Sequence, residues 1–362
     1  AKELIKQDQE VLIYARSWYT PKHIKKINGI KIIHTPTIHT KHLDAIIHTF
    51  TSTMHALTQK VDIIHYHGVG PSLLSWIPRL ISPNIKVITT IHCLNRYHQK
   101  WNWLAKSVLR LGEWTATAFA HQTITVSRIL KKYFINEFQK TTSHIPNGIQ
   151  ISNNVKSKIL IENNWNLKPH RYLLMVSRLV KGKGVHYLLE AWQFVRQQYP
   201  KMTEGYKLVI VGDGSFTKRY TKDLHQIARG DNSIIFTGWQ SGQVLEELYT
   251  NTTMLVHPSE TEGLPIAVLE AMSYGRSVLV SDIPEHKDII TDRRFWFNNT
   301  SIFSLADKII ELLPDKKILA MAGRQNKQLV DKKFNWADIA DKTLQIYNCP
   351  SKDCVDECYC TA

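Results

Sequence analysis

Residues 257–282, HPSETEGLPIAVLEAMSYGRSVLVSD, decide how this chain is read. The apolar run Met254-Leu255-Val256 leads into them and Ser277–Val280 closes them, and both runs read as buried strands. Between the two, Leu264–Tyr274 reads as a short helix. Pro265 suits a first turn, where a missing N–H costs nothing, and Gly275 suits the position just past the end. Strand, loop, helix, strand makes a βαβ unit, and open parallel sheets bind ligands at the carboxyl ends of their strands. Two glutamates fall on that edge: Glu262 in the loop before the helix, and Glu270 eight residues on, inside it. A carboxylate there can accept a pair of neighbouring sugar hydroxyls. Equally, Glu262 can be the acid that complements a helix N-terminus, and Glu270 a solvated surface charge.

The segment E-G-L-P-I-A-V-L-E-A-M-S-Y-G-R-S-V-L-V-S-D, Glu262 to Asp282, resembles the E-x7-E signature of the retaining nucleotide-sugar glycosyltransferases of family four. The resemblance extends over nearly all of residues 1–347. It implies the glycosyltransferase-B fold, an α/β architecture of two doubly wound Rossmann-like domains facing across a cleft. The implied boundaries are an acceptor-side domain at 1–149, a nucleotide-sugar domain at 150–334, and a helix at 335–347 crossing back to the first domain.

Length and composition agree with two domains. A chain of 362 residues, 43% apolar and 21% charged, can bury two sizeable cores. Its net charge of +15 is unevenly spread: residues 1–150 hold 19 Lys/Arg against 7 Asp/Glu, and residues 151–362 hold 27 against 24. A first half at +12 points to an acidic partner, whether a membrane surface, nucleic acid or a phosphate-bearing substrate. No run approaches the ~18 apolar residues of a membrane span, and no signal peptide is evident. The expected location is cytoplasmic, with peripheral contact at the anionic inner face of the cell membrane.

The opening AKELIKQDQEVLIYA reads as the end of an amphipathic helix followed by a strand. In the resembling family a first strand and a glycine-rich loop precede such a helix, so the first domain is expected to lack that strand. At the other end Cys349, Cys354, Cys358 and Cys360 crowd a tail, residues 348–362, whose spacings fit no zinc pattern well. That tail is expected to be unstructured.

Within the first half, Val11–Tyr14, Ile30–His34, Val61–His65, Val87–Ile91 and Thr123–Val126 are apolar runs, each followed by loop or helical sequence, as in a parallel sheet covered on both faces. His65 and His67 lie at the end of one run, where they can meet a substrate or cap the strand; His65 reads as structural and His67 as open. His92 follows another run, and an imidazole there can donate to a developing charge near neutral pH or serve the fold alone. T-I-H-C-L-N-R-Y-H-Q-K-W, L-R-L-G-E-W and I-P-N-G at Ile145–Gly148 resemble a branch of the same family that includes rhamnosyltransferases building bacterial surface polysaccharides. The resemblance makes His92 the active-site histidine near the sugar's C6 end. The family usually has Gly where this chain has Cys93. Lys100–Ala120 reads as a helix with Trp101, Leu104, Val108 and Leu111 on one stripe and Lys100, Lys106 and Arg110 elsewhere, which suits either an interfacial helix or one packed on a sheet.

In the second half, polar Ile149–Arg171 reads as a linker and Tyr172–Val176 as the first strand of the second domain. Arg178 and Lys183 then sit in a Gly-containing turn leading into a helix at Val185–Tyr199. A guanidinium, an ammonium and a helix N-terminus can clamp a diphosphate; a solvated basic turn is the alternative. Gly212 and Gly214, after the strand Lys207–Val211, form a weak glycine fingerprint suited to close backbone approach to a nucleotide. Thr237 and Gly238 follow the run Ile234–Phe236 and resemble the family's base-contacting strand end. Helices are expected at Ser301–Leu313, Asp315–Lys333 and Asn335–Tyr347.

The reaction implied by the resemblance is transfer of a sugar from a nucleoside diphosphate to a saccharide or lipid-linked saccharide hydroxyl, with retention. Arg178 and Lys183 neutralise the leaving diphosphate, Glu270 holds the ribose, and Glu262, beside Gly263 and Leu264, holds the donor sugar. No D-x-D pair suited to a catalytic metal is present, so neither metal nor other cofactor is expected. Three rivals stand beside this reading. A sugar-nucleotide epimerase shares the fold but not the E-x7-E run. A nucleic-acid-binding protein accounts for the charge but has no aromatic-basic recognition motif, so nucleic acid is not an expected partner. The third is a truncated, inactive remnant of the transferase.

Overall fold

The computed structural model describes residues 1–40, 43–94, 96, 102–150, 157–214 and 217–349. The Cys-rich residues 350–362 and the expected helix start at 100–101 lie outside the described residues. Two compact units form: Ala1–Asn147 with the described residues from Trp336 on, and Gly148–Asn335.

The first unit contains β1 (Leu12–Ala15), β2 (Lys26–Ile27), β3 (Ile30–His34), β4 (Ile63–His67), β5 (Lys86–Ile91), β6 (Gln122–Thr125) and β7 (Ser143–His144). β1 runs parallel to β3, and β2 folds back on β3 around Asn28-Gly29. Their φ angles of 50° and 87° suit a two-residue hairpin turn of type I′. The remaining strands form a wholly parallel sheet, β4-β5-β6-β7. Among the described residues the unit thus holds two sheets rather than one. β1 and β4 are half-buried, while β5 and β6 are buried along almost their whole length.

Buried threonines in β5 and β6 are satisfied by the neighbouring helix: the Thr89 and Thr123 hydroxyls donate to the Ala116 carbonyl at 3.0 and 2.6 Å. The Val69–Ser72 and Trp103–Ala118 helices approach so closely that a Cβ on Gly112 would lie 2.5 Å from the Val69 carbonyl oxygen. The Trp336–Asn348 helix belongs to this unit. Ile339 and Ile346 pack with Ile88, Ile124 and Ile145, and the Lys86 ammonium donates to the Ile346 and Tyr347 carbonyls at 2.9 Å each. A cation there complements the negative end of the helix.

In the second unit β8 (Tyr172–Val176), β9 (Lys207–Val211), β10 (Ile234–Gly238), β11 (Met254–His257), β12 (Val278–Ser281) and β13 (Trp296–Phe297) pair in the order β10-β9-β8-β11-β12-β13. All pairs are parallel, giving the 3-2-1-4-5-6 order of a doubly wound sheet. With both faces covered, the strands are near-continuous apolar runs. Large side chains in this core keep their polar atoms paired: the Tyr172 hydroxyl donates to the Leu248 carbonyl at 2.7 Å and the Trp192 indole to the Ser233 hydroxyl at 2.9 Å.

The stretch read as a linker is partly structured. Ile159–Trp165 is a helix, and Ile161 and Leu167 are fully buried in the core of this unit. The Glu247 carboxylate caps it, accepting from the N–H groups of Leu160 and Ile161 at 2.9 and 3.3 Å. The polar composition hid two apolar anchors, and the cap comes from 86 residues away in sequence.

Candidate active site

The turns at the carboxyl edge of the second unit are tied to one another through the main chain. After β8, the Ser177 N–H donates to the Val211 carbonyl and the Leu179 N–H to the Asp213 carbonyl, both at 3.0 Å. The Gly182 carbonyl accepts from the Glu260 N–H at 2.9 Å and from the Ser259 hydroxyl at 3.2 Å, which binds this turn to the loop after β11. Two glycines permit the approach. Gly184 has φ +70° and a Cβ there would lie 2.0 Å from the Pro258 carbonyl oxygen; Gly212 has φ +133° and would meet the Ser177 oxygen at 1.8 Å. Close contact with the protein's own backbone is therefore the observed requirement for Gly212, and a Cβ on Gly214 would meet the Thr221 hydroxyl at 2.2 Å.

Lys183 closes the short turn before the Val185–Gln198 helix and bonds Glu262 Oε1. His257, the last residue of β11, places Nε2 2.8 Å from the same oxygen. Burial by itself raises the Glu262 carboxyl, but the His257 hydrogen bond and the Lys183 charge overcome it and hold the group well below the usual carboxylate range. Glu262 is ionised. His286 stands behind His257, with Nδ1 donating to the Ser281 carbonyl at 2.9 Å. Burial first, and the neighbouring His257 second, push His286 down to about 3. Among the described residues, His257 Nδ1 and His286 Nε2 are buried nitrogens without a hydrogen-bond partner. His257, Glu262 and His286 offer ligand atoms within 4.8 Å of one another, the spacing of a metal site. Lys183 already bonds Glu262 Oε1, the oxygen that His257 Nε2 also meets.

Glu270 lies inside the Ile266–Ser273 helix and accepts from the Tyr249 hydroxyl at 2.7 Å. Burial raises its carboxyl, and the Tyr249 bond opposes that rise. Arg178 is exposed and makes no side-chain hydrogen bond or ion pair among the described residues. Gly263 is buried and Leu264 half-buried beside Glu262. The Thr237 hydroxyl donates to the Gly238 carbonyl at 3.0 Å, and Gly238, at φ 69°, ends β10. The structure thus joins Lys183 to Glu262 and leaves Arg178 and Glu270 outside that cluster. The sequence reading did not single out His257 or His286. His257 carried a usable signal, its place at the end of an apolar run, the same that marked His92; His286 carried none.

In the first unit His92 directly follows β5, with Nε2 3.1 Å from His67 Nδ1 and the Asn147 side chain bonded to it. Burial lowers its pKa against the Asn147 bond, so the ring is neutral near pH 7. His65 uses both nitrogens structurally, on the Tyr347 hydroxyl at 2.6 Å and the Thr90 hydroxyl at 2.7 Å. His67 stacks on His65 with centroids 4.2 Å apart, and burial and His92 push it down to about 4.

Residues 1–153 match the family described as Glycosyltransferase Family 4, and residues 157–329 match Glycosyl transferases group 1. The two matches, one over each half, make this chain a glycosyltransferase. The transferase is 25% identical to an uncharacterised glycosyltransferase of Methanocaldococcus jannaschii, over 96% of this chain and 91% of the relative. It is 24% identical to the UDP-Gal:alpha-D-GlcNAc-diphosphoundecaprenol alpha-1,3-galactosyltransferase of Escherichia coli, over 80% of this chain and 76% of that one. Sucrose-phosphate synthase of Thermosynechococcus elongatus superposes with a TM-score of 0.80 at 19% identity, over 96% of the transferase and 90% of the synthase. That likeness is one of fold, glycosyltransferase-B. The transferase's activity is glycosyl transfer.

Proposed function

We propose that the protein transfers a sugar from a nucleoside-diphosphate sugar to a hydroxyl of a saccharide or lipid-linked saccharide, retaining the anomeric configuration, in the synthesis of a bacterial cell-surface polysaccharide. The observation that carries this reading is the ionised Glu262, held by Lys183 and His257 at the carboxyl edge of β8 and β11. Glu262 is an acceptor for the donor sugar's hydroxyls, with Gly263 and Leu264 in the same loop. Lys183, the exposed guanidinium of Arg178 and the N-terminus of the Val185–Gln198 helix supply positive charge where the departing diphosphate develops negative charge. Glu270 accepts from the ribose hydroxyls, Gly212 and Gly214 border the nucleotide, and Thr237 and Gly238 border its base. His92, neutral and held by His67 and Asn147, donates to the sugar. Lys183 and Arg178 fill the electrostatic role a metal ion would fill, so the mechanism we propose uses neither metal nor other cofactor. The name of the Escherichia coli relative, with its diphosphoundecaprenol acceptor, supports a lipid-linked acceptor.

The test is a transfer and hydrolysis screen over GDP-, UDP- and dTDP-sugars, with proton NMR of the product. Release of nucleotide with a product of the donor's anomeric configuration is expected, unchanged by a chelator. An inverted product overturns retention, loss of turnover on chelation overturns metal independence, and no turnover with any donor overturns the assignment of a working transferase.

A further inference from the structure

The Trp103–Ala118 helix of the first unit turns a large apolar face to solvent. Its packing face is Gly112, Glu113 and Ala116, all buried, with Leu109 partly buried against the core; Thr115, in the last turn, is buried against Ser72. Away from these stand Trp103, Leu104, Val108, Leu111 and Trp114, respectively 77%, 56%, 37%, 49% and 46% exposed. At about 100° per residue the five side chains span an arc of roughly 140°, and Lys106 and Arg110 lie along one margin of it. The stripe Leu104, Val108 and Leu111, which the sequence left open between packing and an interface, is therefore not what holds this helix to its sheet. Single exposed leucines are ordinary, but five large apolar side chains on one face, two of them tryptophan, mark a surface built to be covered. The patch has a neighbour. The Ser75 hydroxyl donates to the Thr115 carbonyl at 3.0 Å, setting the Trp76–Ile81 helix, with Leu80 and Ile81 exposed, beside the last turns of the longer one.

We propose that this face docks the protein on an anionic phospholipid bilayer, the helix lying in the plane of the headgroups. Tryptophan is suited to that depth, and flanking Lys and Arg reach lipid phosphates while the apolar side chains enter the acyl boundary. Charge selects the occupant. Residues 1–150 carry +12, and the one acid on the helix, Glu113, is buried and paired with Arg96 at 3.2 Å and with the Tyr133 hydroxyl at 2.7 Å. No carboxylate of this helix's exposed face repels an anionic surface. Arg110 meets Glu137 at 3.0 Å, but both are exposed, and such a pair is weak enough to yield to a phosphate. A second copy of the chain on the same face would bring two strongly basic surfaces together, which disfavours self-association. Among the described residues no helix is long and apolar enough to cross a membrane, so the contact is with the surface. The inference rests on the exposed face and its charge, and not on the transfer reading.

The experiment is co-sedimentation of the full chain with phosphatidylcholine vesicles, with or without about 30 mol% phosphatidylglycerol, at about 0.1 and about 0.5 M salt. Binding to the anionic vesicles alone, weakened about tenfold or more at the higher salt, is expected. Trp103→Ser/Leu111→Ser should lower the partition coefficient about tenfold or more, and Lys106→Gln/Arg110→Gln about fivefold per charge. Circular dichroism and thermal melting establish that each variant is folded, and the charge pair, which removes no apolar side chain, serves as the second probe. Equal binding to both lipids, no binding to either, or anionic binding that survives both pairs of substitutions overturns the proposal. Sedimentation velocity that shows a dimer dispersed by Trp103→Ser/Leu111→Ser assigns the face to a second copy instead and overturns it too.

Discussion

Lys183→Ala and Arg178→Ala test the proposed diphosphate clamp most sharply, because the two cations have the same proposed ligand and opposite surroundings. The Lys183 side chain is 19% exposed and bonded to Glu262, itself 9% exposed. Removing one partner of a fully buried ion pair costs about 3–5 kcal/mol, mostly for the charge left behind. Here His257 keeps its bond to the stranded carboxylate and Lys183 is not fully buried, so about 1–3 kcal/mol of stability should be lost. In a two-unit chain of this size that corresponds to a melting shift of roughly 2–4 °C per kcal/mol. Arg178 is exposed without a side-chain partner among the described residues, so Arg178→Ala should change stability by no more than about 0.5 kcal/mol. Both variants lose a charged hydrogen bond to the ligand, worth about 1.5–3 kcal/mol, or about 10- to 150-fold in Kd. The Lys183 effect should fall toward the low end, since Glu262 already engages that ammonium. Calorimetric titration with GDP, UDP and dTDP measures the affinity, and urea unfolding measures the stability. Unchanged affinity in both variants removes the clamp. An unchanged unfolding midpoint for Lys183→Ala shows that the pair with Glu262 does not hold in solution.

Glu270→Gln should weaken binding of the free nucleotide, because ribose is common to donor and product, whereas Glu262→Gln should spare nucleotide affinity and lower turnover; matching behaviour of the two variants would defeat the division of roles. Stability should also depend on pH through the buried imidazoles. His286 and His67 titrate in the fold at about 3 and about 4, against about 6.5 in the unfolded chain. The unfolded chain therefore binds more protons across that interval, so stability is fully present above about pH 6.5 and is lost as pH falls toward about 4. Urea midpoints measured through this range should fall with pH, and His286→Gln should flatten the slope; an unaltered slope assigns the effect to other groups.

Sequence alone determined the alternation of strands and helices, because apolar runs and glycine or proline punctuation are local signals. β3, β8 and β9 occupy the ranges their composition marked, and the Ile266–Ser273 helix starts after Pro265 and stops before Gly275, at φ 67°. It also marked Lys183, Glu262, Glu270 and His92 as candidates, from their positions after apolar runs and from the family resemblance. Which of them meet was decided by tertiary structure. Lys183 and Glu262 are 79 residues apart and bond only because the strand order lays β8 beside β11. His257 meets Glu262 from five residues away in sequence, whereas His286 reaches His257 through the pairing of β11 with β12, and Glu247 caps a helix within an apparent linker from 87 residues away. The Trp103–Ala118 helix is the converse case. Its periodicity announced an apolar stripe, but a helix can bury one face as readily as another until its neighbour is known. Here Gly112 lets the Val69 backbone approach on one side, and the side chains that drew attention in the sequence are left facing water.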